Sequence, residues 1–211
     1  MKNKIIILLL FVVTSVMADD QKYIQSMAKN IKILYSAKTP EQYQQAINTF
    51  DRIGNAEKTK WEPFYYSAFG YLMVANIETD IAKKDQWLDL AAAAVTKAKE
   101  NSPNESEIIA LDGFTQMLRI TVDPASRGAK YTGQAMSLYG KAIQLNPENP
   151  RALALMAQMQ LGAAKFMKTS TTEGCATAAN ALEKFQTYHP ANPIAPMWGK
   201  EMTDGLVASC K

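Results

Sequence analysis

The stretch AMSLYGKAIQLNP, residues 135–147, sets Ala135, Tyr139, Ala142 and Pro147 at steps of four, three and five. Steps of four and three place the first three side chains on one face of a helix, and the alanines let a neighbouring helix approach closely. A proline five residues further on cannot continue the helix and fixes a turn. The same pattern returns as Ala91, Val95, Ala98 and Pro103, and again as Ala178, Leu182, Phe185 and Pro190. A weaker copy is Ala46, Phe50 and Ile53, with Lys58 where proline would stand. Recurrence at a nearly fixed offset is an internal repeat. The intervening stretches are also helical in pattern, so each repeat reads as a helix hairpin that buries its apolar face only by stacking on the next.

Helices are predicted near 20–37, 40–53, 62–81, 85–99, 105–120, 130–145, 150–167, 174–188 and 194–208. No stretch alternates apolar and polar residues long enough to argue for a strand. The expected fold is therefore all-α, a right-handed stack of about nine helices. Residues 19–60 form a degenerate N-terminal helical pair, and 61–211 hold the repeats and a C-terminal capping helix.

The second-helix pattern resembles the tetratricopeptide repeat, whose second helix and turn carry A-x3-F-x2-A-x4-P. The family's first-helix pattern, W-x2-L-G-x2-Y, is kept by Tyr66, Phe69, Gly70 and Met73. Leu153, Met156 and Ala157 keep it in part, as do Ile109 and Gly113. The period is about ten residues longer than the family's 34, and the excess falls between the first and second helices. There the segment 121–131 has loop chemistry in its Asp-Pro, Gly and Ser.

The resemblance implies a concave partner groove lined by the first helices. Aligned on Gly70, Gly113 and Ala157, the family's groove positions include Phe64, Tyr71, Glu107, Phe114, Met117, Arg151 and Gln158. Tyr71, Phe114 and Met117 would be apolar anchors, and Glu107, Arg151 and Gln158 polar selectors. Arg127, Lys130 and Tyr131 on the middle loop form a second candidate contact. Of the aromatics Phe64, Tyr65, Tyr66, Phe69 and Tyr71, crowded into eight positions, most must be core.

The first residues, with Lys2 and Lys4, an apolar run 5–13 and Val16-Met17-Ala18, have the parts of a secretory signal peptide over 1–18. The run is too short to span a bilayer, so an exported protein, periplasmic or secreted, without a stable membrane anchor is expected. The chain has 23 basic and 20 acidic residues. Two of the lysines leave with the leader, and no basic excess remains for nucleic acid. Cys175 and Cys210 begin and end two helices that run antiparallel across the Pro190 turn, so a disulfide between them is expected.

Nothing points to catalysis. His189 is the single histidine and precedes a turn proline. No zinc spacing, phosphate loop or nucleophile elbow is present, and Glu105 and Glu107 sit where a helix N-terminus favours negative charge. No metal or cofactor is expected. The leading expectation is a non-enzymatic scaffold of the cell envelope that holds a protein or peptide in its groove. The alternative is a soluble exported binding protein for a small ligand enclosed near Phe64, Tyr71 and Phe114.

Overall fold

The computed structural model describes residues 20–211. The leader expected over 1–18 lies outside the described residues. Among those described there are nine helices and no strand. They are α1 (20–36), α2 (Pro40–Glu57), α3 (Glu62–Ile77), α4 (Ile81–Asn101), α5 (Ser106–Ile120), α6 (Pro124–Leu145), α7 (Pro150–Met167), α8 (Thr172–Thr187) and α9 (Lys200–Ala208). From α2 onward each helix packs on the next in sequence, and α3, α5, α7 and α9 also touch in series. The result is two layers of stacked hairpins, as the repeat spacing implies, with the odd-numbered helices forming the inner layer. Tyr35 carries α1 into that layer, edge-on to Tyr66 and Phe69 of α3.

The repeated small residues are the contact surfaces. Ala91 and Ala98, Ala135 and Ala142, and Ala178 are all fully buried, as is Tyr139. Tyr139 reaches so close to α5 that only glycine fits beneath it: a β-carbon at Gly113 would lie 2.4 Å from its ring. The Tyr139 hydroxyl then donates to Met117 Sδ at 3.8 Å.

The helix starts follow local chemistry. Thr39 makes a capping box with Gln42 ahead of Pro40, Asp80 caps α4, and Asn149 caps α7 ahead of Pro150. The same device corrects the expected loop at 121–131. Asp123 accepts from the backbone of Ser126, with Pro124 in the first turn, so the Asp-Pro pair starts α6 six residues earlier than expected. The long repeat period therefore sits in long second helices, 21 residues in α4 and 22 in α6. Arg127 is not a loop contact but forks onto Asp85 of α4, both bonds 2.7 Å, and Arg119 joins at 3.2 Å. Lys130 stands over the ring of its neighbour Tyr131 at 5.2 Å.

The C-terminal end departs in the opposite sense. Residues 188–199, read in part as the last helix, have no regular structure. Pro190, Pro193 and Pro196 forbid a helix there, and Gly199 takes the left-handed φ of 103° that turns the chain into α9. The expected disulfide is present: Cys175 and Cys210 are bonded with their Cα atoms 5.7 Å apart. It closes a loop over a sequence separation of 35, which stabilises the last hairpin by about 3–4 kcal/mol in the chain-entropy model.

Two outcomes are expected from these contacts. Gly113→Ala forces the buried Tyr139 ring to move and costs about 1–2 kcal/mol by urea unfolding, whereas Gly140→Ala, where a β-carbon meets open space, stabilises by about 0.5–1 kcal/mol. Asp85 is held below the usual carboxylate range by the hydrogen bonds and charge of Arg127, then Arg119. A depressed folded pKa gives stability that is present above the ordinary value and lost as pH falls through the folded one. Asp85→Asn should cost about 0.5–1 kcal/mol at pH 7, the pair being about one-third exposed. The gap between variant and wild type should close as pH drops below about 4.

Candidate functional site

The inner layer is where a partner groove was expected, and α3 shows which side chains reach it. Phe64 lies over Gly54 of α2 with the Lys97 ammonium of α4 5.5 Å above its ring. Tyr71 stacks on Trp87 of α4. Both therefore face the outer layer and not the groove. The inner face of α3 is carried by Tyr65, Tyr66 and Phe69. Glu107 of α5 accepts from the Tyr65 hydroxyl, at 3.3 Å, so Tyr65, one residue beyond the expected Phe64, is the side chain that reaches α5. One residue turns a helix face by about 100°, enough to carry Phe64 and Tyr71 out of the groove.

In α5 and α7 the expected positions fall on the inner side, with one exception. Glu107 and Phe114 lie there, and so does Arg151; Gln158 follows Arg151 by seven residues and shares its face. Met117 instead turns toward α6 and Tyr139. Gln158 is half-buried, and its Oε1 has no hydrogen-bond partner among the described residues.

The concavity is not open. Residues 188–199 cross it as a strap. The Tyr66 hydroxyl donates to the carbonyl of Ile194 at 2.7 Å, and the amide of Met197 donates to the Tyr35 hydroxyl at 3.1 Å. The Trp198 indole then enters between α3 and α5. It stacks on Phe69 at 5.0 Å and 28° and on Phe114 at 6.0 Å and 27°, and its Nε1 donates to the Tyr65 hydroxyl at 2.9 Å.

Behind the strap is a buried charge. Arg151, 0% exposed, donates through Nε to both carboxylate oxygens of Glu107 at 2.9 Å, with Nη2 2.8 Å from Oε1. The rings of Tyr188 and Phe185 face its guanidinium at 4.5 and 5.9 Å. Burial works against this charge, yet the attraction and hydrogen bonds of Glu107 outweigh it and raise the arginine's pKa above its ordinary value. Arg151 Nη1 has no hydrogen-bond partner. Burial, first of all, also pushes the phenols of Tyr35, Tyr65 and Tyr66 upward, so these hydroxyls are neutral donors and not phenolates.

At the foot of the stack a cleft of about 620 Å³ opens beside the strap, lined among others by Trp61, Glu105, Glu107, Tyr188, His189 and Ile194. The Glu105 carboxyl is raised by burial and by Glu107 beside it. His189 is exposed at the rim. Among the described residues no group of three His, Cys, Asp or Glu could hold a metal ion, and no helix is long and apolar enough to cross a membrane.

No family model matches the sequence, and no curated protein matches it. Among solved structures the chain is similar to the HusA haemophore from Porphyromonas gingivalis, with 25% sequence identity and a TM-score of 0.80. The likeness covers 90% of this chain and 92% of that one, so the helical fold is shared over nine-tenths of both chains.

Tyr65, Tyr66, Phe69 and Trp198 are the inner-face residues that sequence reading missed. The three prolines between 190 and 196 were the available signal, since Pro196 stands inside the expected last helix. The buried pair supplies a test of this geometry. Arg151→Met alone leaves Glu107 buried without its cation and should cost about 3–5 kcal/mol in urea unfolding, whereas Arg151→Met with Glu107→Gln should cost clearly less.

Proposed function

We propose that this protein is an exported carrier that binds a flat, largely apolar ring ligand of the tetrapyrrole class, haem or a close relative, at its aromatic inner face. The observation that carries the reading is the similarity to a haemophore over nine-tenths of both chains. The inner face supports it. Stacked rings suit the face of a macrocycle, and the buried guanidinium with its free Nη1 suits a ligand carboxylate. The adjoining cleft falls within the roughly 300–1,000 Å³ usual for small-molecule sites. The disulfide suits an oxidising compartment, in keeping with the expected leader. Binding, without catalysis, is the role this site supports.

The small-ligand reading stands ahead of the peptide scaffold, because the concavity a peptide would need is crossed by the chain's own residues 188–199. Descent of the hairpins from tetratricopeptide repeats is also our reading, and it rests on the recurring alanine and proline spacing.

Titration of the oxidised protein with haemin, followed by the Soret band, should show saturable one-to-one binding in the micromolar range or tighter. Iron-free protoporphyrin IX should bind comparably if stacking dominates. A linear, unsaturable response to both would overturn the reading.

A further inference from the structure

We propose that residues 188–199 are a displaceable strap whose Trp198 indole occupies the ligand's own seat, the slot between Phe69 and Phe114, and leaves it when the ligand's ring enters. The inference rests on the reading of the protein as a carrier of a flat ring ligand, and adds where that ring sits and what guards it.

The slot is built for a planar group. Phe69 and Phe114 each stack on the indole within 28° of parallel, and a ring entering in its place meets the same two π surfaces. The indole itself is only half-buried. Its one side-chain hydrogen bond goes to the Tyr65 hydroxyl, and two tyrosine hydroxyls hold the strap backbone. No helix or sheet ladder has to break for it to lift.

Lifting it strands no buried polar group on the inner face, which is the usual cost of such a motion. Tyr65 keeps Glu107 as its acceptor. The Tyr35 and Tyr66 hydroxyls lose their strap partners, but the same motion uncovers them to water or the ligand. The strap is nevertheless tethered at both ends, to α8 on one side and on the other to α9, which the Cys175–Cys210 bond ties back to the start of α8. Gly199, with its left-handed backbone, packs against Arg151 and Phe185 and is the natural pivot. Tyr188, His189, Ile194 and Pro196 of the strap also wall the cleft. Swinging outward therefore merges cleft and slot into one opening and uncovers the free Nη1 of Arg151.

A self-occupied seat lowers the apparent affinity by the fraction of molecules with the strap open. Haemin titration of wild type and Trp198→Ala is the test, with hydrogen exchange at the Met197 amide, whose bond to Tyr35 reports a closed strap. The expected result is at least about tenfold tighter binding by Trp198→Ala, and faster exchange at Met197 when wild type is saturated with haemin. Should Trp198→Ala fail to fold, Trp198→Phe, which keeps an apolar ring but loses the indole N–H bond to Tyr65, should still tighten binding severalfold, and the wild-type exchange measurement needs no variant. Binding by Trp198→Ala alone would also support the strap, as a closed lid. If wild type binds haemin while Trp198→Ala binds no better and Met197 exchanges no faster, the strap proposal falls and the carrier reading stands. If neither protein binds haemin, both fall.

Discussion

The inner layer depends on one buried guanidinium. Arg151 comes from α7 and Glu107 from α5, Phe185 from α8 closes one side, and Tyr188 closes another at the root of the strap. Tyr65 extends the network to α3 and, through the Trp198 indole, back to the far end of the strap. Removing an ion pair from water costs several kcal/mol, which the mutual attraction must repay through near-ideal geometry. An apolar pair of similar shape could hold these helices together as firmly. What it could not do is fix their register, since a forked guanidinium satisfies its carboxylate in one relative position of the hairpins.

That constraint decides what the concavity can hold. In an open stack of hairpins the inner face is a long groove, suited to an extended segment or a helix. Here the first turns of α3, α5 and α7 converge on the Glu107–Arg151 pair, and the strap is drawn across them. The remaining inner surface is short and aromatic, and two of its rings, Phe69 and Phe114, stack on the strap's indole. A chain with its own backbone hydrogen bonds to satisfy would find two tyrosine hydroxyls and little else. A flat ring needs none of those partners, and Phe69 and Phe114 offer it two stacking surfaces.

The hairpins were legible because their signal is local and repeated: alanines at helical spacing, a turn proline, and glycine where Tyr139 approaches. The disulfide was legible because antiparallel hairpins bring Cys175 and Cys210 to one end. Two stretches were misjudged for opposite reasons. Asp123-Pro124 is at once a turn signal and a helix start, and only the bonds of the Asp123 side chain to Ser126 decide between them. Residues 194–199 lie in apolar company with a helix behind them, and the prolines were outweighed by that company. The inner faces of α5 and α7 carry Glu107, Phe114, Arg151 and Gln158 where the repeat pattern puts them, whereas α3 turns Phe64 and Tyr71 outward; aromatic residues point around most of its first two turns. With no polar side to mark the outside, sequence pattern alone cannot fix a rotation of about 100°.

A strap that competes with the cargo also bears on release. A carrier whose empty seat exposed Phe69 and Phe114 to water would hold its ligand more tightly, but it would carry an adhesive apolar surface when unloaded. Filling the seat with Trp198 covers that surface in the empty state. The same contacts then favour departure of the ligand, because the free energy regained when the indole stacks between Phe69 and Phe114 is set against the ligand's own stacking. The two quantities are of one kind and similar in size, so the balance is shallow and small changes tip it. Tethering by the Cys175–Cys210 bond keeps the effective concentration of the indole at its slot high, so the seat closes as soon as it empties. The long-range disulfide and the unstructured strap, which as local features look unrelated, thus act on one equilibrium.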